Sequence, residues 1–109
     1  MRLRILGKIW NLVWVPKGQS VVARGRGKKK KAKTMNSTDK GTIEAPNIKG
    51  KRIFIREELK EKDELDTVLH ECLHAADWWK DEEWVDEVAE DIARILWRLG
   101  WRKQQEEEE

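Results

Sequence analysis

Leu65-Asp66-Thr67-Val68-Leu69-His70-Glu71-Cys72-Leu73-His74-Ala75 is the stretch from which the rest of the chain can be read. Its apolar residues, continued by Ala76 and Trp79, recur at helical spacing and predict an amphipathic helix over about residues 62–79. With Leu65 set to zero and ~100° per residue, Val68, Leu69, Cys72, Ala76 and Trp79 fall within about 60°. His70, His74 and Asp77 cluster instead between about 120° and 180°, away from that stripe. Two histidines four positions apart stand one turn apart on one face and can reach a single ion, with Glu71 beside them. Zinc held by two His and one further ligand keeps a position open for water and lowers its pKa. The Glu then takes the water's proton as it attacks a carbonyl. The chain contains only two His, and a shuffled chain of this composition meets the H-E-x-x-H pattern about 0.2% of the time. A solvated histidine pair is the competing reading.

A second helix follows. Val85, Val88, Ala89, Ile92, Leu96 and Leu99 share one stripe. Asp81 is the expected N-cap, Glu82 and Glu83 sit where the helix dipole favours acids, and Gly100 supplies the stop. An antiparallel hairpin turning around Trp79-Lys80 would return the first turn of this helix beside His74. Of its five leading acids, Glu82 lies nearest the packed face, about 60° from Val85, and is the expected third metal ligand. Asp86, at about 100°, stands behind it as an orienting group or alternative ligand. Asp77 follows His74 on the same helix, where a ligand would strain a tetrahedral site, so its expected role is to orient a ligand.

The N-terminal part reads as strands. Arg2-Leu3-Arg4-Ile5 alternates, Gly7-Lys8 supplies a turn, and Ile9 to Val15 is rich in Trp, Val and Leu before Pro16. Lys51 to Arg56 is a third strand. Residues 24–41, beginning Arg24-Gly25-Arg26-Gly27-Lys28-Lys29-Lys30-Lys31, are basic and nearly free of apolar side chains, which predicts a flexible insertion. Lys28, Lys29, Lys30 and Lys31 could contact nucleic-acid phosphates nonspecifically, but no aromatic interleaves them to stack on bases. Residues 104–109 read as an acidic tail, leaving residues 1–103 as one domain. The formal charge of +2 conceals a division. Residues 1–60 hold 17 Lys/Arg against 4 Asp/Glu (+13), and residues 61–109 hold 6 against 17 (−11).

The helix containing His70-Glu71-Cys72-Leu73-His74 resembles the active-site helix of zincin metallopeptidases. Glu82-x-x-Val85-x-x-Val88-Ala89-x-x-Ile92-Ala93 resembles the E-x-x-A-x-x-F-A-x-x-L-L third-ligand helix of ImmA/IrrE-like metallopeptidases. The chain, with its ending Leu96-Trp97-Arg98-Leu99-Gly100-Trp101, is also similar to small single-domain H-E-x-x-H proteins of phage and bacterial genomes. The resemblance spans about residues 51–100. It implies zinc on His70, His74 and Glu82, Glu71 as general base, and an extended peptide paired to the edge strand beside the active-site helix. Lys51 to Arg56 is the candidate for that strand. The His74-to-Glu82 interval of eight residues is shorter than those peptidases usually show. The absence of Tyr and of a third His leaves oxyanion stabilisation to zinc, backbone N–H groups, or an Arg or Lys.

The expected fold is therefore α+β, a minimal zincin-like domain with a small, mostly antiparallel sheet packed on two helices. The expected function is zinc-dependent hydrolysis of peptide bonds in a protein or peptide substrate. A nucleic-acid-binding accessory with a structural or vestigial metal site is the alternative. A single Cys excludes an internal disulfide scaffold, and no apolar run approaches the ~18–20 residues of a membrane span. A cytoplasmic, bacterial or phage-encoded protein without membrane contact is expected. Seven Trp with one Phe and no Tyr supply most of the large apolar area; Trp78, at about 220°, lies nearer the metal face than the core, though packing is its expected role.

Overall fold

Ile53-Phe54-Ile55 is apolar at three consecutive positions, as suits a strand covered on both faces. In the computed structural model this strand lies inside a four-stranded sheet. The structure describes residues 1–25, 33–36 and 38–104. The chain order is β1 (Arg2–Ile5), β2 (Lys8–Val15), β3 (Val21–Ala23), β4 (Lys33–Met35), β5 (Gly41–Ile43), β6 (Arg52–Arg56), α1 (Glu61–Ala76) and α2 (Glu82–Arg98). The main sheet runs β1-β2-β6-β5, with β1–β2 and β5–β6 antiparallel and β2–β6 parallel; β3 and β4 form a separate antiparallel hairpin. The fold is α+β, a mixed sheet and a small hairpin packed with two helices. No described helix is long and apolar enough to cross a membrane.

Each face of the sheet has its own core. Trp10, Leu12, Ile43, Ile53 and Ile55 are buried on the helix side, joined by Val68, Ala75 and Trp78 of the helical segment. Val15 and Phe54 face the other way and pack with Ala23 and Met35 of the β3–β4 hairpin. Alternation along β6 explains the division: Ile53 and Ile55 point to one layer, Phe54 to the other. The first hairpin turns at Leu6-Gly7, one residue earlier than expected. Ile5 pairs with Lys8, and both turn residues have positive φ, 48° and 77°, as a two-residue type I′ turn requires.

Three further expectations change. Residues 24–41 are not uniformly flexible: Lys33–Met35 forms β4 against Val21–Ala23, and Gly41–Ile43 forms β5. Apolar Met35 and Ile43, buried in the two cores, are isolated among polar neighbours, so three-residue strands gave no periodic signal. Residues 26–32, including Lys28, Lys29, Lys30 and Lys31, and most of the acidic tail lie outside the described residues. Second, Lys51 to Arg56 does not form a sheet edge. β6 is flanked by β2 and β5, and β5 is the edge strand on the α1 side. Third, the first helix ends at Ala76 rather than 79. Asp77 leaves helical geometry (φ −142°, ψ 89°) and its carboxylate accepts the Trp79 N–H at 3.3 Å, a side-chain turn that competes with helix. Trp79 is consequently 89% exposed, whereas Trp78 packs on the core.

The second helix follows its capping signals. Asp81 accepts the Trp84 N–H at 2.8 Å, and the Val85, Ala89 and Ala93 stripe is buried. Gly100 (φ 91°) donates to Trp97 O and Trp101 donates to Leu96 O, the paired bonds of a Schellman stop.

Two buried charged residues secure the hairpin side. Arg56, 2% exposed, donates to the carbonyls of Pro16, Gln19, Asn36 and Asp39. Glu44, fully buried, receives both Arg24 (2.7 Å) and Arg52 (2.9 Å). Burial pushes the Glu44 carboxyl up, but hydrogen bonds from Arg24 and Arg52 outweigh it and hold it at about 2, against 4.5 ordinarily. The folded value is the lower one. Its contribution is therefore complete above about pH 4.5 and is lost as pH falls towards 2. The shift corresponds to at most about 3 kcal/mol, reduced by solvent screening at the half-exposed guanidiniums. Unfolding free energy measured by urea titration should fall over this range in wild type and less steeply in Glu44→Gln. Identical acid slopes would refute the assignment.

Candidate metal centre

His70, Glu71 and His74 occupy the last two turns of α1, and Glu82 is the first residue of α2. The five residues 77–81 reverse the chain between them. The Asp77 turn ends one helix and the Asp81 cap starts the next, so the hairpin geometry is set locally on both sides. The buried Val85, Ala89 and Ala93 positions are small or β-branched, which lets the second helix lie close to the first.

This return brings three predicted residues together. Glu82 spans both imidazoles: Oε1 lies 2.8 Å from His70 Nε2, and Oε2 lies 2.9 Å from His74 Nε2. The two Nε2 atoms are 3.1 Å apart, with the rings edge-on at 68°. His70, His74 and Glu82 form a group that could hold a metal ion, one donor atom from each lying within 4.8 Å of the others. Two nitrogens bound at 2.0–2.1 Å to a tetrahedral ion stand about 3.3 Å apart, so the donor spacing fits such an ion with little movement. The donor set, two imidazoles and a carboxylate, suits a borderline cation such as zinc.

The other predicted residues divide. Asp86 Oδ1 lies 3.0 Å from His70 Nδ1, the contact by which a carboxylate fixes the tautomer and orientation of a ligating imidazole. Asp77 does not lie on the histidine face, because its departure from the helix breaks the projection that placed it there. Glu71 Oε1 lies 3.7 Å from His70 Nε2, and the Glu71 residue is only 4% exposed.

The face of α1 opposite the apolar stripe is turned toward the sheet and is covered. Thr67, Glu71 and His74 are the buried residues of α1, while Leu65, Leu69 and Cys72 of the apolar stripe are only partly covered. A solvated histidine pair is thereby excluded. The sheet side takes this face because Gly41 lets β5 approach it: a Cβ there would lie 2.9 Å from Thr67 Cγ2 and 3.0 Å from Phe54 O. Burial pushes the Cys72 thiol up, and the neighbouring Glu71 adds to this, so the thiol is poorly suited to act as a nucleophile.

A cleft of about 580 Å³ opens beside the centre, with Glu71, His70 and Asp86 in its lining. Thr38, Asp39 and Lys40 form its opposite wall. Sequence reading missed this wall, and also Arg56, which holds the segment through the Asn36 and Asp39 carbonyls at 2.6 and 3.2 Å. An Arg directly continuing the apolar strand sequence Ile53-Phe54-Ile55 was the available signal, since a charge buried there needs partners.

Metal titration tests the centre. One zinc ion per chain is expected, with loss of stoichiometric binding in His74→Ala. Asp86→Asn should weaken affinity about 10- to 100-fold, whereas Asp77→Asn should leave it unchanged. Equal effects of the two Asp substitutions would contradict the geometry. Comparison with known proteins finds no matching family model, no matching curated protein and no matching solved structure; the metal centre rests on its own residues and distances.

Proposed function

We propose that the protein is a zinc-dependent metallopeptidase acting on a protein or peptide substrate. The observation that carries this reading is the convergence of His70, His74 and Glu82 beside the buried carboxylate of Glu71, at the wall of an open cleft. A structural site would have no need of a cleft-side carboxylate outside the donor group.

His70, His74 and Glu82 would hold the ion, and Asp86 would orient His70 through Nδ1. Zinc bound there would polarise the scissile carbonyl and lower the pKa of the attacking water. Glu71 accepts the proton of that water and returns it to the departing amine, breaking the C–N bond. Its position on the helix of both histidines keeps the base in fixed register with the donor group. Extended substrate would align along β5. Arg56 N–H bonds Lys40 O and Glu44 N–H bonds Arg52 O, so antiparallel alternation turns the backbone groups of Gly41 and Ile43 away from β6. Those groups are the ones a substrate strand would use.

Glu71→Gln tests the reading. The variant should take up zinc as wild type does, yet lose peptide hydrolysis by about 10²- to 10⁴-fold. Undiminished hydrolysis in Glu71→Gln, or a purified wild type that binds no stoichiometric zinc, would overturn it.

A further inference from the structure

The cleft that exposes the candidate centre is asymmetric in charge. Its lining residues come from α1, α2 and the segment entering β5, and His70 and Glu71 stand among them. A group reacting beside Glu71 must therefore lie in this space. Some of the lining carboxylates are matched. Asp63 meets Lys40 at 2.7 Å, and Asp86 is tied to His70. Asp66 is different. It is half-buried in the wall, and among the described residues no hydrogen bond or ion pair reaches its carboxylate. Glu90, from the facing helix, lines the same space and pairs with Arg94 at 3.0 Å, one turn along α2. Burial pushes the Asp66 carboxyl above its ordinary range and the charge of Glu90 adds to this, outweighing the opposite pull of His70 and Lys40.

Two carboxylates from facing helices thus line one space, while its cationic groups are engaged elsewhere, Lys40 with Asp63 at 2.7 Å and His70 with Glu82 and Asp86 at 2.8 and 3.0 Å. Carboxylates outnumber cations in this lining and Asp66 has no direct ion pair, so a positive group entering the cleft would be favoured. A neutral side chain would leave the carboxylates as they are, and an acidic one would be repelled, so the arrangement discriminates by charge. Asp66 precedes His70 by four residues, one helical turn or about 5.4 Å along the axis. An extended peptide advances about 3.3 Å per residue. A side chain within two positions of the reacting carbonyl can therefore reach it.

We propose that this cleft selects substrates with a Lys or Arg side chain within two residues of the scissile bond, with Asp66 and Glu90 as the specificity-determining residues. The reaction itself rests on the peptidase reading above; the charge selectivity belongs to the cleft. The acidic cleft takes a cationic side chain as a substrate anchor, and the backbone beyond it follows β5 towards the donor group. Selectivity of this kind weakens as salt screens the partly exposed carboxylates.

The test uses zinc-loaded protein and labelled peptides that differ at one position near the cleaved bond, carrying Lys, Gln or Glu. Hydrolysis of the Lys peptide should exceed that of the Gln peptide by about tenfold in kcat/KM, and the ratio should shrink with added salt. D66N/E90Q should abolish the ratio; E90Q alone, at an exposed position, should reduce it and serves where D66N perturbs folding. E83Q, outside the cleft, should leave it unchanged. Fluorescence anisotropy of the same peptides on zinc-loaded E71Q reads selectivity without turnover, with tighter binding of the Lys peptide expected. Equal binding of the Lys and Gln peptides, or a preference that survives D66N/E90Q, overturns the proposal. Lys-selective binding by E71Q with no hydrolysis by wild type instead overturns the peptidase reading and supports the cleft's selectivity.

Discussion

α1 turns its polar face inward. Thr67, Glu71 and His74 are buried between the sheet and α2, and a buried imidazole or carboxylate destabilises a fold unless another polar group answers it. Glu82 gives that answer, bridging His70 and His74 at 2.8 and 2.9 Å. The rest of the helical layer follows from this demand. α2 has to return antiparallel with its N-terminus against the end of α1, and the 77–81 turn has to be short. The same contact that satisfies the fold assembles the donor group. The contacts that settle the fold and the group that could hold an ion thus share one set of atoms.

The sheet meets a comparable demand on its other face. Phe54 is covered by the β3–β4 hairpin, and the charged residues flanking it are answered in turn. Arg56 draws four backbone carbonyls around its guanidinium, and Glu44 gathers Arg24 and Arg52. These interactions bear on the cleft because Arg56 binds the carbonyls of Asn36 and Asp39, and Asp39 belongs to the cleft wall. A buried arginine on the far side of the sheet therefore shapes the approach to the donor group. Its partners are carbonyls, which carry no side-chain signature in the sequence.

Legibility followed the range of the interaction. The turn and cap chemistry of α2, from Asp81 to Gly100, is local and was readable residue by residue. So were β2 and β6, each long and apolar enough to carry a pattern. β4 and β5 have three residues each and owe their existence to partners far along the chain, which no local window contains. The projection of α1 placed His70 and His74 on one face, away from the apolar stripe, but could not show how completely that face is covered. Hydrophobic periodicity identifies which side chains avoid water on average; it does not reveal a polar face covered by a second polar face. Asp77 failed for a simpler reason: a helical projection has no meaning beyond the residue at which the helix stops.

The sequence by itself determined the α+β character, the helical hairpin, the histidine pair with its neighbouring Glu71, and the choice of Glu82 among five nearby acids. The strands were legible from apolar patterning, and the other three features from spacing, capping and one short turn within residues 61–98. Only the tertiary structure decided that β6 is interior and β5 the edge, that Asp86 rather than Asp77 meets a histidine, and that Asp66 lines the cleft with no direct ion pair among the described residues. Each depends on which surfaces close on one another, and closure is governed by burial and polar satisfaction summed over the whole chain. Opposite charges segregated along the sequence, +13 over residues 1–60 and −11 over residues 61–109, do not predict where an individual carboxylate will find a partner. Packing decides that, because it alone sets the distances over which the charges act.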